Sequence, residues 1–261
     1  MRAILTLLLL GLQGALPTPG KCQDLELFSL PGTQPLLPSP LVDPETSLRV
    51  LSELRRTIPE SFDLHIAAVR EALALGLVAN TEGERRGWLD QAIEAARAAL
   101  AVDSSRADAH YWLSAALGLQ SNQVGIRAKI SLAREAHLRA VRTLELDASH
   151  GGGHHALGRL HAGAKRLSWA SRLVARGLGL GEVLNEASWE SAEYHMRLGA
   201  ELDPDQLAHL YEYGKFLVEA RGRIDEGVAI LQDVASREPR HEVDAYYSTR
   251  ASRFLEKLKT R

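Results

Sequence analysis

The sequence predicts an all-α fold, a tetratricopeptide-like (TPR-like) α-solenoid of about four helix pairs with two insertions and a C-terminal capping helix. Three observations carry this expectation. Apolar residues make up 45% of the 261-residue chain and aromatics only 5%, and the apolar share is dominated by Ala and Leu, which lead the helix-propensity ranking. Seven of the ten prolines fall in the first 44 residues, at Pro17, Pro19, Pro31, Pro35, Pro38, Pro40 and Pro44, so the remainder is nearly free of helix breakers. From Leu48 onward apolar residues recur at helical spacing, and the pattern itself recurs at the length of a helix pair.

Taken in order, the first element is an address. Arg2 precedes an apolar run, Ala3 to Leu12, interrupted only by Thr6 and followed by prolines and small residues through Gly20. That is the pattern of a secretory signal, and it is too short for a membrane span, which needs about 20 apolar residues. The expected organisation is a signal peptide over 1–20, cleaved after Ala15 or Gly20, a Pro-rich linker over 21–45, and a helical repeat domain over 46–261. Export to the periplasm or the extracellular space of a bacterium follows; a cytoplasmic chain is the alternative. Cys22 is the single cysteine, which excludes an internal disulfide, and Lys21 before it argues against lipidation.

The repeat is plainest in the second half. Ala192, Met196 and Gly199, then Pro204, have the small, large, small, proline spacing that closes a tetratricopeptide helix pair. Leu210, Tyr213, Gly214 and Leu217 open the next unit, which closes at Pro239, 35 residues after Pro204. Small residues let two helices approach closely and the proline stops the second one. Earlier units show the same closing set at Ala136, Ala140 and Thr143 and at Ala92, Ala96 and Ala99. Openings are expected at Trp112, Ala115, Ala116 and Leu119 and at His154, Leu157, Gly158 and His161, with a helix from about Phe62 to Val78 before them. The unit opening at Trp112 carries about eight extra residues between its helices. The unit opening at His154 carries about 22, including Leu167 to Leu184. Val243, Tyr247, Ala251, Phe254 and Leu258 then mark one amphipathic helix that caps the array.

The segments A-D-A-H-Y-W-L-S, V-G-I-R-A-K-I, H-A-L-G-R and W-E-S-A-E-Y-H-M-R-L-G-A-E-L-D-P resemble the regulators of microtubule dynamics, a family of tetratricopeptide proteins. The resemblance covers about residues 61 to 258. It implies an α-solenoid and, from the eukaryotic members, association with microtubules, mitochondria and spindle poles. The signal-like leader and His65, standing where an aromatic is expected, are departures.

The function expected is that of a non-enzymatic scaffold holding a partner protein or peptide. In similar repeat proteins the first helices of successive pairs line a concave groove, and the spacing assigns to it His110, Leu113, Leu117 and Gln120, then His155 and Arg159, then Tyr211, Lys215 and Glu219. Between Arg127 and Arg176 ten basic residues face three acidic ones, a local charge of +7 in a chain of net charge −2, so a partner with acidic segments is steered there. Nucleic acid is not expected, because Trp169 is the only aromatic in that stretch. No catalytic residue, cofactor or metal ligand set is expected. There is no G-x-S-x-G elbow and no H-E-x-x-H, and Gly151, Gly152 and Gly153 lack the Gly-Lys-Ser/Thr of a phosphate loop; they are expected to form an inter-helix turn. The runner-up readings are a microtubule-associated role and an accessory or metal-dependent enzyme using the His150 to His161 cluster.

Overall fold

The structure, a computed structural model, describes residues 43–260. These form helices joined by short connections, with no strand among the described residues: α1 (Pro44–Thr57), α2 (Phe62–Val78), α3 (Glu82–Val102), α4 (Ala107–Gln120), α5 (Ile126–Leu146), α6 (Gly151–Arg166), α7 (Trp169–Gly177), α8 (Gly181–Glu186), α9 (Trp189–Leu202), α10 (Leu207–Phe216), α11 (Ile224–Ser236) and α12 (Glu242–Lys259). The helices pair as α2 with α3, α4 with α5, α6 with α9 and α10 with α11. Four repeat units result, with α7 and α8 inserted inside the third. The leader and most of the Pro-rich segment lie outside the described residues.

Local chemistry sets the helix starts. Asp43 caps α1 by accepting from the Thr46 amide at 2.9 Å, with Pro44 at the first helical position. Thr81 and Glu84 form a reciprocal capping box on α3, which satisfies two donors that the helix leaves unpaired. His150 caps α6 through Nδ1, which accepts from the Gly153 amide at 3.1 Å. Gly151, Gly152 and Gly153 are therefore the first turn of α6, not an inter-helix turn. They are glycines because the partners press close: a Cβ on Gly152 would stand 2.6 Å from the Tyr111 ring, and one on Gly153 2.8 Å from Thr143 and Leu144.

Three first helices share a histidine at their fourth residue. His65, His110 and His154 each place Nε2 against the carbonyl six residues back, at Pro59 (2.8 Å), Ser104 (2.9 Å) and Ala148 (3.1 Å). Because a carbonyl only accepts, Nε2 carries the proton in each. Leu210 is the fourth residue of α10. The second unit therefore opens at His110, Leu113, Ser114 and Leu117, two residues before the frame that starts at Trp112. Two residues rotate a helix by about 200°. The slip exchanges groove for core.

The extra residues of that second unit make no binding loop. They lengthen the second helix, since α5 has 21 residues against 14 for α4 and only a short 3-10 turn, Ser121–Gln123, and Val124–Gly125 separate them. The insertion in the third unit does form a separate layer. Its Ala175, Leu180, Val183, Leu184 and Ala187 pack on Ile130 of α5 and Ala164 of α6 in one apolar cluster. The last helix does more than cap. Tyr247 and Ala251 of α12 join Leu207, Tyr211, Leu231 and Val234, and Leu77 of α2 packs against the same cluster. Thus α12 touches both the last pair and the first.

Candidate functional site

The interior face of the array is built from α2, α4, α6, α10 and α12, and charge is enclosed with the apolar groups. Burial and nearby carboxylates oppose each other there. The Glu212 carboxylate holds the Arg159 guanidinium above its usual value against the effect of desolvation, with Tyr247 also near. Arg250 of α12 donates to the Tyr211 hydroxyl at 3.4 Å and lies 5.4 Å over its ring. Tyr211 and Tyr247 meet at 5.6 Å between centroids. A helix of the chain itself occupies the place where a groove-bound peptide would lie.

The sequence-assigned groove residues accordingly divide. His110, Leu113, Leu117 and Gln120 are buried at 5% exposure or less, because of the two-residue register of α4, and they face the neighbouring helices rather than the groove. His155 and Tyr211 are in the expected register but are buried by contacts with α10 and α12: His155 stacks on His209 at 4.2 Å. Arg159 is half-buried facing the interior. Lys215 and Glu219 remain accessible and pair at 3.4 Å, and Arg166 reaches Glu219 at 3.8 Å.

Arg166 leads into the insertion, where the exposed apolar groups concentrate. On α7, Trp169 is 80% exposed and Leu173 66%, with Val174 and, just past the helix end, Leu178 also exposed, while Ala175 on the opposite side is fully buried. Trp169 and Leu173 are one turn apart on one face. Arg176 and, across on α5, Arg127 and Arg134 are exposed too. The Arg134 guanidinium approaches the insertion at Gly179, whose φ of +85° suits glycine. Bare apolar surface and the basic charge of Arg176 and Arg134 thus meet at the insertion.

The histidines grouped between His150 and His161 in sequence scatter in space. His150 meets Asp108 at 3.3 Å and holds that carboxyl below its usual value. His154 accepts at Nδ1 from His195 at 2.8 Å. His155 faces His209, and His161 turns to α5 and α9, where its Nδ1 lies 2.6 Å from the Ser191 hydroxyl.

Over residues 40–259 the chain matches the family described as Regulator of microtubule dynamics protein 1-3. Among solved structures, one titled "Crystal structure of MamA" is similar at 15% identity, covering 84% of this chain and 92% of that chain, with a TM-score of 0.41. No curated protein matches.

Proposed function

The chain belongs to the Regulator of microtubule dynamics protein 1-3 family, and from that premise we propose that it is a non-enzymatic scaffold that binds an acidic segment of a partner protein through its inserted helix. The observation that carries this reading is the exposure of Trp169 and Leu173 on α7 together with Arg176 of the same helix and Arg134, whose guanidinium approaches the insertion at Gly179. Trp and Arg are the residues that most often dominate binding energy at interfaces, and a bare apolar patch on a folded chain marks an interaction site. Insertions in repeat arrays map to one face, often the binding face. Lys215 pairs with Glu219, which Arg166 at the start of the insertion also reaches. Arg159 serves the interior.

Affinity capture from native cells with the wild type and with Trp169→Asp/Leu173→Asp tests it. A protein retained by the wild type and lost by the variant, with an unchanged thermal transition, is the expected result, and truncating such an anchor costs about 2 kcal/mol or more of binding. Equal capture by both sinks the α7 assignment. Co-sedimentation with anionic vesicles that needs the same two residues would place a lipid surface there instead.

A second reading rests on the family description, which names microtubule dynamics. The +7 segment from Arg127 to Arg176 suits an acidic filament surface. Salt-sensitive co-pelleting with microtubules, lost on charge reversal of Arg127, Arg134 and Arg176, would establish it. The two readings differ in compartment. Export is our proposal from the leader, and N-terminal sequencing of the native protein decides it. A start near residue 16 or 21 supports export, and an intact Met1 removes it and promotes the filament reading.

A further inference from the structure

We propose that His137, His161 and Glu186 form a binding site for one divalent transition-metal ion of the zinc type, which ties the insertion to the α5–α6 pair. His137 lies on α5, His161 on α6, and Glu186 ends α8, so three elements distant in sequence meet at one point. One ligand atom from each lies within 4.8 Å of the other two, and Nε2 of His137 is 3.5 Å from the Glu186 carboxylate. Atoms ligating a tetrahedral zinc ion at about 2.0–2.1 Å are closer together than this. The adjustment falls to Glu186, an exposed side chain at the end of a short helix.

The histidines carry the argument. Nε2 of His137 and Nε2 of His161 are both buried and have no hydrogen-bond partner. Each such orphan costs about 1–3 kcal/mol, and two on rings grouped with one carboxylate call for an explanation. His161 is the eleventh residue of α6, the place that Leu117 occupies in α4 and Leu217 follows in α10. Its sister units put a fully apolar core residue there, so packing does not require imidazole. The Ser191 hydroxyl, 2.6 Å from His161 Nδ1, orients the ring and leaves Nε2 as the free nitrogen, the arrangement that second-shell groups give to metal-bound histidine. Burial also keeps both rings neutral near pH 7, so each offers a lone pair.

Two imidazoles and a carboxylate select zinc-like ions over magnesium or calcium, which favour all-oxygen sites. Three protein ligands leave a position for water. The site is independent of what binds α7, but because Glu186 and α7 belong to the same inserted layer, the ion fixes that layer on the array.

The test is titration of the metal-free full chain with Co2+, read by its visible absorption. The expected result is one Co2+ per chain with the bands of a four- or five-coordinate ion, displaced by Zn2+ and untouched by Mg2+. His161→Leu, the residue at this place in the second and fourth units, is expected to weaken binding by at least about 100-fold and Glu186→Gln by about tenfold, with unchanged circular dichroism. Should His161→Leu fail to fold, Glu186→Gln decides, since its side chain is exposed. No stoichiometric Co2+ binding, or binding that survives Glu186→Gln undiminished, overturns the proposal.

Discussion

Lowering the pH from 6.5 to 4 is expected to remove on the order of 3 kcal/mol of stability through His209 alone. His209 is 3% exposed and burial lowers its pKa to about 4 from the usual 6.5, helped by the positive charges of His150 and Arg159. The Gly199 carbonyl, 3.2 Å from Nδ1, opposes that shift, and the Asp203 carboxylate lies 3.5 Å from the same nitrogen. Because the folded-state pKa is depressed for a base, the unfolded chain binds the proton first. The stabilisation is full above pH 6.5 and is lost as pH falls towards 4. His155, stacked on His209 and held well below its usual value by burial, acts in the same direction. A domain of ordinary stability has only about 5–15 kcal/mol to lose, so stability should begin to fall above the carboxylate range. Urea unfolding at pH 7 and pH 4.5, in chelated buffer, measures the difference. His209→Asn keeps a donor for the Gly199 carbonyl without a titrating group, and it should flatten the pH dependence. An unchanged slope in that variant would mean that His209 is not a source of it.

Much of this architecture was legible because a repeat states the same packing problem several times. The closing sets Ala92, Ala96, Ala99 and Ala136, Ala140, Thr143 sit fully or nearly fully buried where the spacing puts them. The opening of the second unit was misread for a physical reason. Trp112 satisfies the consensus aromatic by type, yet the place is taken by His110, whose ring fills it and also ties the helix to the Ser104 carbonyl. Periodicity distinguishes buried from exposed faces but does not tell a groove from a helix-pair seam. That distinction needs the neighbours, here α12, which lies against the interior face although its sequence reads only as amphipathic. The histidine centre was invisible for a different reason. His137 and Glu186 are separated by α6 and α7, and no short motif joins them. The one available signal was His161 at a position that is Ala72, Leu117 and Leu217 in its sister units.

The α6–α9 seam supplies the sharpest packing test, because one helix contains two glycines of opposite expected effect. A Cβ on Gly158 would stand 2.6 Å from Met196 Cγ, 2.8 Å from the Met196 amide nitrogen and 3.0 Å from the Ala192 carbonyl. Two of these are backbone atoms of α9, which cannot swing aside as a side-chain end can. From the other side, a Cβ on Gly199 would stand 2.9 Å from the His155 nitrogen. The helices are therefore in backbone contact in both directions. Gly163, on the same helix, is exposed with nothing within 4 Å of a built Cβ. Alanine gains about 1 kcal/mol over glycine in either helical place. At Gly163 that gain stands unopposed, so Gly163→Ala is expected to stabilise by up to about 1 kcal/mol. At Gly158 the two helices must separate, and overpacking of this kind costs about 1–3 kcal/mol or more after relaxation. Gly158→Ala should therefore unfold at lower urea than the wild type and Gly163→Ala at higher, with equal m-values. Equal shifts in the two variants would mean that the seam is looser than the structure places it. The seam also carries His161 and Ser191, so spreading it at Gly158 is expected to lengthen their 2.6 Å contact and loosen the nitrogen that faces His137 and Glu186.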